Sequence, residues 1–333
     1  MTDIEAPKIA VIGGGTGTFT LLKDLKNFTP NISALVNMSD DGGSSGRLRD
    51  EHGVLPPGDV RQCLVALSNT PEVRDLFSFR FGDEGALKGH SLGNVILAGL
   101  ELQYKDFNKA LKVASSLLNI TGEVLPMTLE NHSLTMSDGQ ETVRGEYVIG
   151  NRRFTGDNQH VWLEPDVGIN PAAQEAIDSA DIVTIAPGNL FGSLLPALAV
   201  KGVKEAISQT KAQIVVVTNL VTKPGQTDGW HVVDYVNTFE RYMGIGSVDT
   251  VLFNNQPPNQ YLLEKYAADG EYPVGIEDSR FSEISALAIG ADLMAGDIWQ
   301  QDTSDKAISR TLIRHDGIKV SQQLMQIYNK ASL

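Results

Sequence analysis

Four stretches of this sequence combine glycine with side chains able to hold an anion or move a proton. The first, Gly13-Gly14-Gly15-Thr16-Gly17, follows the apolar run Lys8-Ile9-Ala10-Val11-Ile12 and precedes Leu21, Leu22 and Leu25 at helical spacing. Glycines there let the backbone approach a phosphate, and the following helix aims its first amides at it. The second sets Asp40-Asp41 before Gly42-Gly43-Ser44-Ser45-Gly46. Adjacent carboxylates at a strand end suit a metal ion, magnesium above all, a sugar hydroxyl or an amine, and Asp59 is a third acid for the same work. A solvated surface turn is the alternative. Arg47, Arg49 and Arg61, with His52 among them, gather positive charge nearby, and the arginine fork suits phosphate. The third stretch, Gly89-His90-Ser91-Leu92-Gly93-Asn94, opens an apolar helix with Ser91 as its N-cap. His90 is either a base or a hydrogen-bonded structural group. The fourth, Pro187-Gly188-Asn189-Leu190-Phe191-Gly192-Ser193, repeats the glycine turn at another helix start. Two such turns in one sheet suit a ligand with a diphosphate and a second polar end.

The glycines do not fit a dinucleotide fingerprint. A G-x-G-x-x-G register from Gly13 puts Thr18 at the third glycine, and one from Gly15 puts Thr20 there. Asn37, not an acid, ends the second strand where a ribose-binding carboxylate belongs. A phosphate or nucleotide contact is expected, and a nicotinamide oxidoreductase is disfavoured. No histidine pair, G-x-S-x-G elbow or Walker lysine is present.

The elements that must position these residues alternate. Ile32-Ser33-Ala34-Leu35-Val36, Ile182 to Ala186, Ile214 to Thr218 and Val248 to Phe253 are short runs, apolar on both faces, as parallel strands under two helical layers must be. Leu194 to Ile207 reads as one helix with Pro196 in its first turn. The polar turns all follow strand ends, where such sheets bind ligands, and Asn254-Asn255 ends a strand on the same side. The fold expected is α/β and Rossmann-like, a mostly parallel sheet with helices on both faces, in a single domain over residues 1–333. Residues 121–165 read as a β-rich insertion with a turn at Asp138-Gly139 and a strand from Thr142 to Val148.

Composition narrows the function. The 333 residues hold 27 basic and 41 acidic side chains, a net charge of -14, which argues against a general grip on nucleic acid. Cys63 is the sole cysteine and lies on the apolar side of a helix, so it reads as a buried structural thiol. Asp3 and Glu5 near the start are unlike a secretory signal. The longest apolar stretch, Ile182 to Val200, is broken by Pro187, Gly188, Gly192 and Pro196, so no membrane span is expected. A soluble cytoplasmic protein is the expectation.

Taken in order, these motifs resemble the bacterial gluconeogenesis factor family, a branch of the 2-phospho-L-lactate transferase superfamily. Later stretches match that branch too: Ala186-Pro187-Gly188-Asn189, Thr218-Asn219-Leu220 to Pro224-Gly225-Gln226-Thr227-Asp228-Gly229, and Arg314-His315-Asp316. The resemblance implies a UDP-sugar ligand such as UDP-N-acetylglucosamine. It also implies a regulatory role in cell-wall synthesis and cell shape on gluconeogenic carbon, with cell-wall or signalling proteins as partners and a homodimer as one assembly. It further associates a tyrosine, here Tyr266, and Arg314 with nucleotide-sugar binding. The transferase branch instead moves a phospholactyl group from a guanosine diphosphate carrier with a divalent metal. Those enzymes carry roughly Pro-Asp-x-Asp where this chain reads Pro57-Gly58-Asp59-Val60, one carboxylate fewer. The binding set expected is therefore Gly13 to Gly17, Asn37, Ser44, Arg47, His90, Asn94, Gly188, Asn189, Asn219, Asn254, Tyr266 and Arg314. Asp40, Asp41 and Asp59 are the candidates for catalysis, and Asp40-Asp41 for metal.

Overall fold

The computed structural model describes residues 6–82, 84–154, 159–296 and 312–331. Seven strands build one parallel sheet: β1 (Ile9–Gly13), β2 (Ile32–Val36), β3 (Glu123–Pro126), β7 (Ile182–Ile185), β8 (Gln213–Val217), β9 (Thr250–Asn254) and β10 (Leu287–Ala291). Their order is β10-β9-β8-β7-β1-β2-β3. The chain therefore winds outward from β1 through β3, returns, and winds outward the other way from β7. The reversal between β1 and β7 splays the following loops apart and opens a crevice at the strands' carboxyl ends. This is the doubly wound architecture expected.

Burial follows from pleating. In β1, Ile9 and Val11 face one core with Leu21, Leu22 and Leu64, while Ala10 and Ile12 face a second core with Val183 and Ile185. Alternate residues are thus buried on opposite faces, which is why the strands read as continuous apolar runs. Three helices carry the site's first half: α1 (Gly15–Leu25), α2 (Gly43–His52) and α3 (Gly58–Leu67). Cys63 of α3 is buried, as expected. No helix among the described residues is long and apolar enough to cross a membrane.

A second, antiparallel sheet has the order β5-β4-β6, from β4 (Ser133–Ser137), β5 (Thr142–Arg144) and β6 (His160–Glu164). Its β4–β5 turn falls at Asp138-Gly139, with Gly139 at φ 88°. Three expectations are corrected. β3 lies within residues 121–165 but extends the main sheet. The strand expected from Thr142 to Val148 stops at Arg144, and a helix, Glu146–Asn151, starts after Gly145 at φ 103°. The helix expected from Leu194 to Ile207 is two, Leu195–Leu198 and Val203–Gln209, separated at Gly202, whose φ of 100° no helix accommodates.

The two windings meet at Gly17. A β-carbon there would overlap the Pro187 carbonyl oxygen, so the start of α1 and the loop after β7 pack backbone to backbone. Gly17→Ala must push them apart and should lower stability by about 1–3 kcal/mol, as overpacking does. At Gly99, exposed within the helix Leu92–Tyr104, a β-carbon meets nothing. Gly99→Ala should stabilise by roughly 0.5–1 kcal/mol. Urea midpoints of both variants test the contact, and an unshifted Gly17→Ala refutes it.

Candidate functional site

The crevice holds two cavities that share Thr16, Gly17, Gly188 and Asn189. One, of about 360 Å³, is lined by Gly14, Gly15 and the carboxyl groups of Asp40, Asp59 and Glu146. The other, of about 430 Å³, is lined by Asn219, Lys223, Arg314 and His315. Three acids line one end, and Lys223 and Arg314, with Glu271 beside them, line the other.

Each carboxyl group of the acidic end is brought by a different element. Asp40 ends the loop after β2, and its carboxylate accepts from the Gly42 amide at 3.0 Å and from the Ser45 hydroxyl. Asp59 starts α3, is 9% exposed and accepts from the Gly15 amide. A side chain at Gly14 would occupy the Asp59 carboxylate's place. Burial, then the Asp40 charge, raises Asp59 to about 7. Glu146 opens the short helix Glu146–Asn151 that follows β5; burial, then the charges of Asp40, Asp59 and Asp41, pushes it up to about 8.

The structure divides the Asp40-Asp41 pair. Asp41 accepts from the amides of Glu146 (2.9 Å) and Tyr147 (2.7 Å), so both its oxygens cap the helix Glu146–Asn151. It lines neither cavity. Among the described residues no three histidine, cysteine, aspartate or glutamate side chains form a metal cluster.

Several expected binding residues brace the site and do not line it. Ser44 Oγ meets His90 Nδ1 at 2.9 Å, Asn94 Nδ2 donates to Ser44 Oγ at 3.1 Å, and Arg61 Nε donates to Asn94 Oδ1 at 2.9 Å. This chain ties α2 and α3 to the helix Leu92–Tyr104, whose Ser91 cap accepts from the Asn94 amide. Arg47 donates to the Lys88 carbonyl at 2.7 Å, away from the crevice. Asn37 is buried and donates to the Gly192 carbonyl at 3.3 Å. Gly13 ends β1 beneath the cavities.

At the far end Arg314 lines the crevice and Tyr266 does not. Tyr266 is 6% exposed, packs with Leu220 and Ile313, and lines neither cavity. Its hydroxyl accepts from the amides of Leu312 (2.7 Å) and Ile313 (2.9 Å). Tyr266 therefore holds the segment that carries Arg314, and no ring face is left for stacking on a base. Leu312 and Ile313 form no strand, and Thr311 lies outside the described residues. Asn254 accepts from the Leu293 amide at 3.1 Å and lines a neighbouring cavity of about 320 Å³. That cavity meets the crevice only at Asn219 and Leu220. Asn219 does reach the crevice, but its carboxamide grips the Gly188 peptide, accepting from the amide and donating to the carbonyl, both at 3.0 Å. His315 hydrogen-bonds the Thr218 backbone, and burial holds it neutral, down at about 4.

Sequence reading missed Glu146 and Lys223. Lys223 lies inside a motif stretch, between Leu220 and Pro224, but nothing in its neighbours marks it as facing the crevice. Glu146 sits in what reads as a strand.

A family model described as 2-phospho-L-lactate transferase CofD matches residues 9–294. The chain is 39% identical to a putative gluconeogenesis factor of Thermotoga maritima, covering 96% of this chain and 99% of that protein. With the gluconeogenesis factor of Bacillus subtilis the identity is 37%, over 97% of this chain and 98% of the relative. The crystal structure of a upf0052 family member from Bacillus halodurans aligns with a TM-score of 0.85 at 36% identity, covering 97% of this chain and 99% of that one.

The raised carboxyl groups predict a pH dependence. In the folded state Asp59 and Glu146 keep protons that the unfolded chain releases near pH 4. The native state binds more protons across that window, so stability falls as pH rises from about 4 through about 8. Melting temperatures in chelator should decline from pH 5 to pH 8, and Asp59→Asn should flatten the decline. A variant with the slope of the unmodified protein would show that Asp59 is not held protonated.

Proposed function

The chain belongs to the CofD family, alongside the members named gluconeogenesis factors, and from that premise we propose that it is a regulatory protein that binds a nucleoside diphosphate sugar, in the class of UDP-N-acetylglucosamine. The observation that carries this reading is a pair of joined cavities, one walled by Asp40, Asp59 and Glu146 and the other by Arg314 and Lys223 with Glu271 beside them. A diphosphate fits over the shared floor, where the glycine turn and the start of α1 offer amides and Arg314 and Lys223 supply charge. Carboxyl groups accept from hydroxyls, so the sugar lies toward Asp40, Asp59 and Glu146. The nucleoside then extends toward Leu220 and Ile313. Such a protein would act in the cytoplasm, coupling the level of a cell-wall precursor to growth on gluconeogenic carbon through cell-wall or signalling partners.

A second reading, a metal-dependent transferase using a nucleoside diphosphate carrier, is favoured by one observation. Asp40 and Asp59 line the same cavity, and the Asp40 charge adds to burial in raising Asp59. Two carboxylates, with phosphate oxygens and water completing the sphere, are a donor set magnesium accepts. Asp40 and Asp59 would hold the ion, and it would neutralise charge on a transferring diphosphate. A deazaflavin acceptor, a phospholactyl-guanosine donor and magnesium test this directly; product lost in Asp59→Asn would establish the transferase.

For the first reading, UDP-sugars should raise the melting temperature more than UMP or NAD does. A ligand specific for the native state stabilises by about 2.7 kcal/mol at a hundred times its dissociation constant. Arg314→Ala should weaken UDP-sugar binding by about 1.5–3 kcal/mol, the worth of hydrogen bonds to a charged group, while circular dichroism stays native. Equal melting shifts with NAD and UDP-N-acetylglucosamine, or unchanged affinity in Arg314→Ala, would refute the assignment.

A further inference from the structure

We infer that Glu146 is the specificity-determining residue for the sugar end of the ligand, its carboxyl group accepting the hydroxyls of a nucleotide sugar in the crevice. This rests on the reading of the protein as a nucleotide-sugar binder. Three carboxyl groups line the acidic cavity, and two are already engaged. Asp40 is bonded by the Gly42 amide and the Ser45 hydroxyl, and Asp59 by the Gly15 amide. Among the described residues the Glu146 carboxyl group has no hydrogen-bond or ion-pair partner, and it is half-buried in the cavity wall. A carboxyl group on a cavity wall with no protein partner keeps its acceptor oxygens for a ligand hydroxyl.

The side chain is also held where it stands. Asp41 caps the amide end of the helix Glu146–Asn151. At the carbonyl end, Lys223 Nζ donates to Gly150, and Gln226 Nε2 donates to Ile149 at 2.9 Å and Arg152 at 3.0 Å. A carboxylate at the amide end and an ammonium at the carbonyl end both complement the helix dipole. The carboxyl group lies over the loop after β7, where a β-carbon at Gly192 would come within 2.5 Å of Glu146 Oε1. Such a residue, clamped at both ends of its helix and lying over a glycine, is preorganised to bind and needs no induced movement. Asp41 is then a positioning residue: it touches no ligand and fixes the backbone that carries Glu146.

Calorimetric titration with UDP-N-acetylglucosamine and with UDP tests this in the unmodified protein, Glu146→Ala, Glu146→Gln and Asp41→Ala. Glu146→Ala should bind the sugar nucleotide about tenfold more weakly, the equivalent of one good hydrogen bond, while affinity for UDP stays within about twofold. Glu146→Gln keeps one acceptor oxygen and should lose less, which keeps the test open should Glu146→Ala fold poorly. Asp41→Ala should show the same selective loss. Equal weakening of both nucleotides, or an intact preference for the sugar nucleotide in Glu146→Ala and Glu146→Gln, overturns the inference. If the unmodified protein binds neither nucleotide, the nucleotide-sugar reading itself falls, and the inference with it.

Discussion

The close packing of two peptide segments, Gly17 of α1 and Pro187 after β7, fixes the geometry on which the crevice depends. With no side chain between them, the two halves of the sheet's winding meet at backbone distance, and the floor of the crevice is made of amides. Neighbouring bonds lock the arrangement. Asn219, at the end of β8, holds both polar atoms of the Gly188 peptide, and Asn37, at the end of β2, reaches the Gly192 carbonyl. The loops after β1, β2, β7 and β8 are thus tied into one rigid rim. Carboxamides and hydroxyls that look like ligand groups are consumed in making that rim, and charged side chains are left to face the space it encloses.

That division explains which parts of the molecule were legible in its sequence. The doubly wound fold was, because parallel strands buried on both faces need unbroken apolar runs, and the strands beside the switch point end in glycine turns. The acids Asp40 and Asp59 and the far cation Arg314 were also legible as crevice residues. Polar residues one step back were not separable from them. Ser44, Asn94 and His90 have the side chains of an anion site, yet they satisfy one another in a chain that ends on Arg61. Tyr266 shows the same ambiguity: an aromatic ring near an arginine suggests stacking, whereas its hydroxyl serves two amides 46 and 47 residues downstream. Which atoms of a side chain are spent on the protein is settled by tertiary partners and leaves no mark on local spacing.

Glu146 shows the limit most clearly. Thr142 to Val148 has the alternation of a strand, and strand propensity is honoured only as far as Arg144. The helix begins next because Gly145 takes a left-handed conformation and Asp41, 105 residues earlier, accepts the first amide. A six-residue helix has little intrinsic stability. This one persists through bonds from the loop after β2 at one end and from Lys223 and Gln226 at the other. Its existence is a long-range fact.

The smaller sheet is therefore not an ornament on the main one. It supplies the acidic end of the crevice through Glu146, and Lys223, which faces the basic end, donates to the Gly150 carbonyl of the same short helix. A net charge of -14 repels a diphosphate at long range, but salt screens that repulsion beyond about 8–10 Å. A diphosphate in the crevice would meet Arg314, Lys223 and the amides at the start of α1 at close range, with Glu271 beside them. Within the same space, carboxyl groups less than a screening length away bias the orientation of any ligand carrying phosphate at one point and hydroxyls at another. The short helix joins the two ends, carrying Glu146 into one cavity and accepting from Lys223, which lines the other.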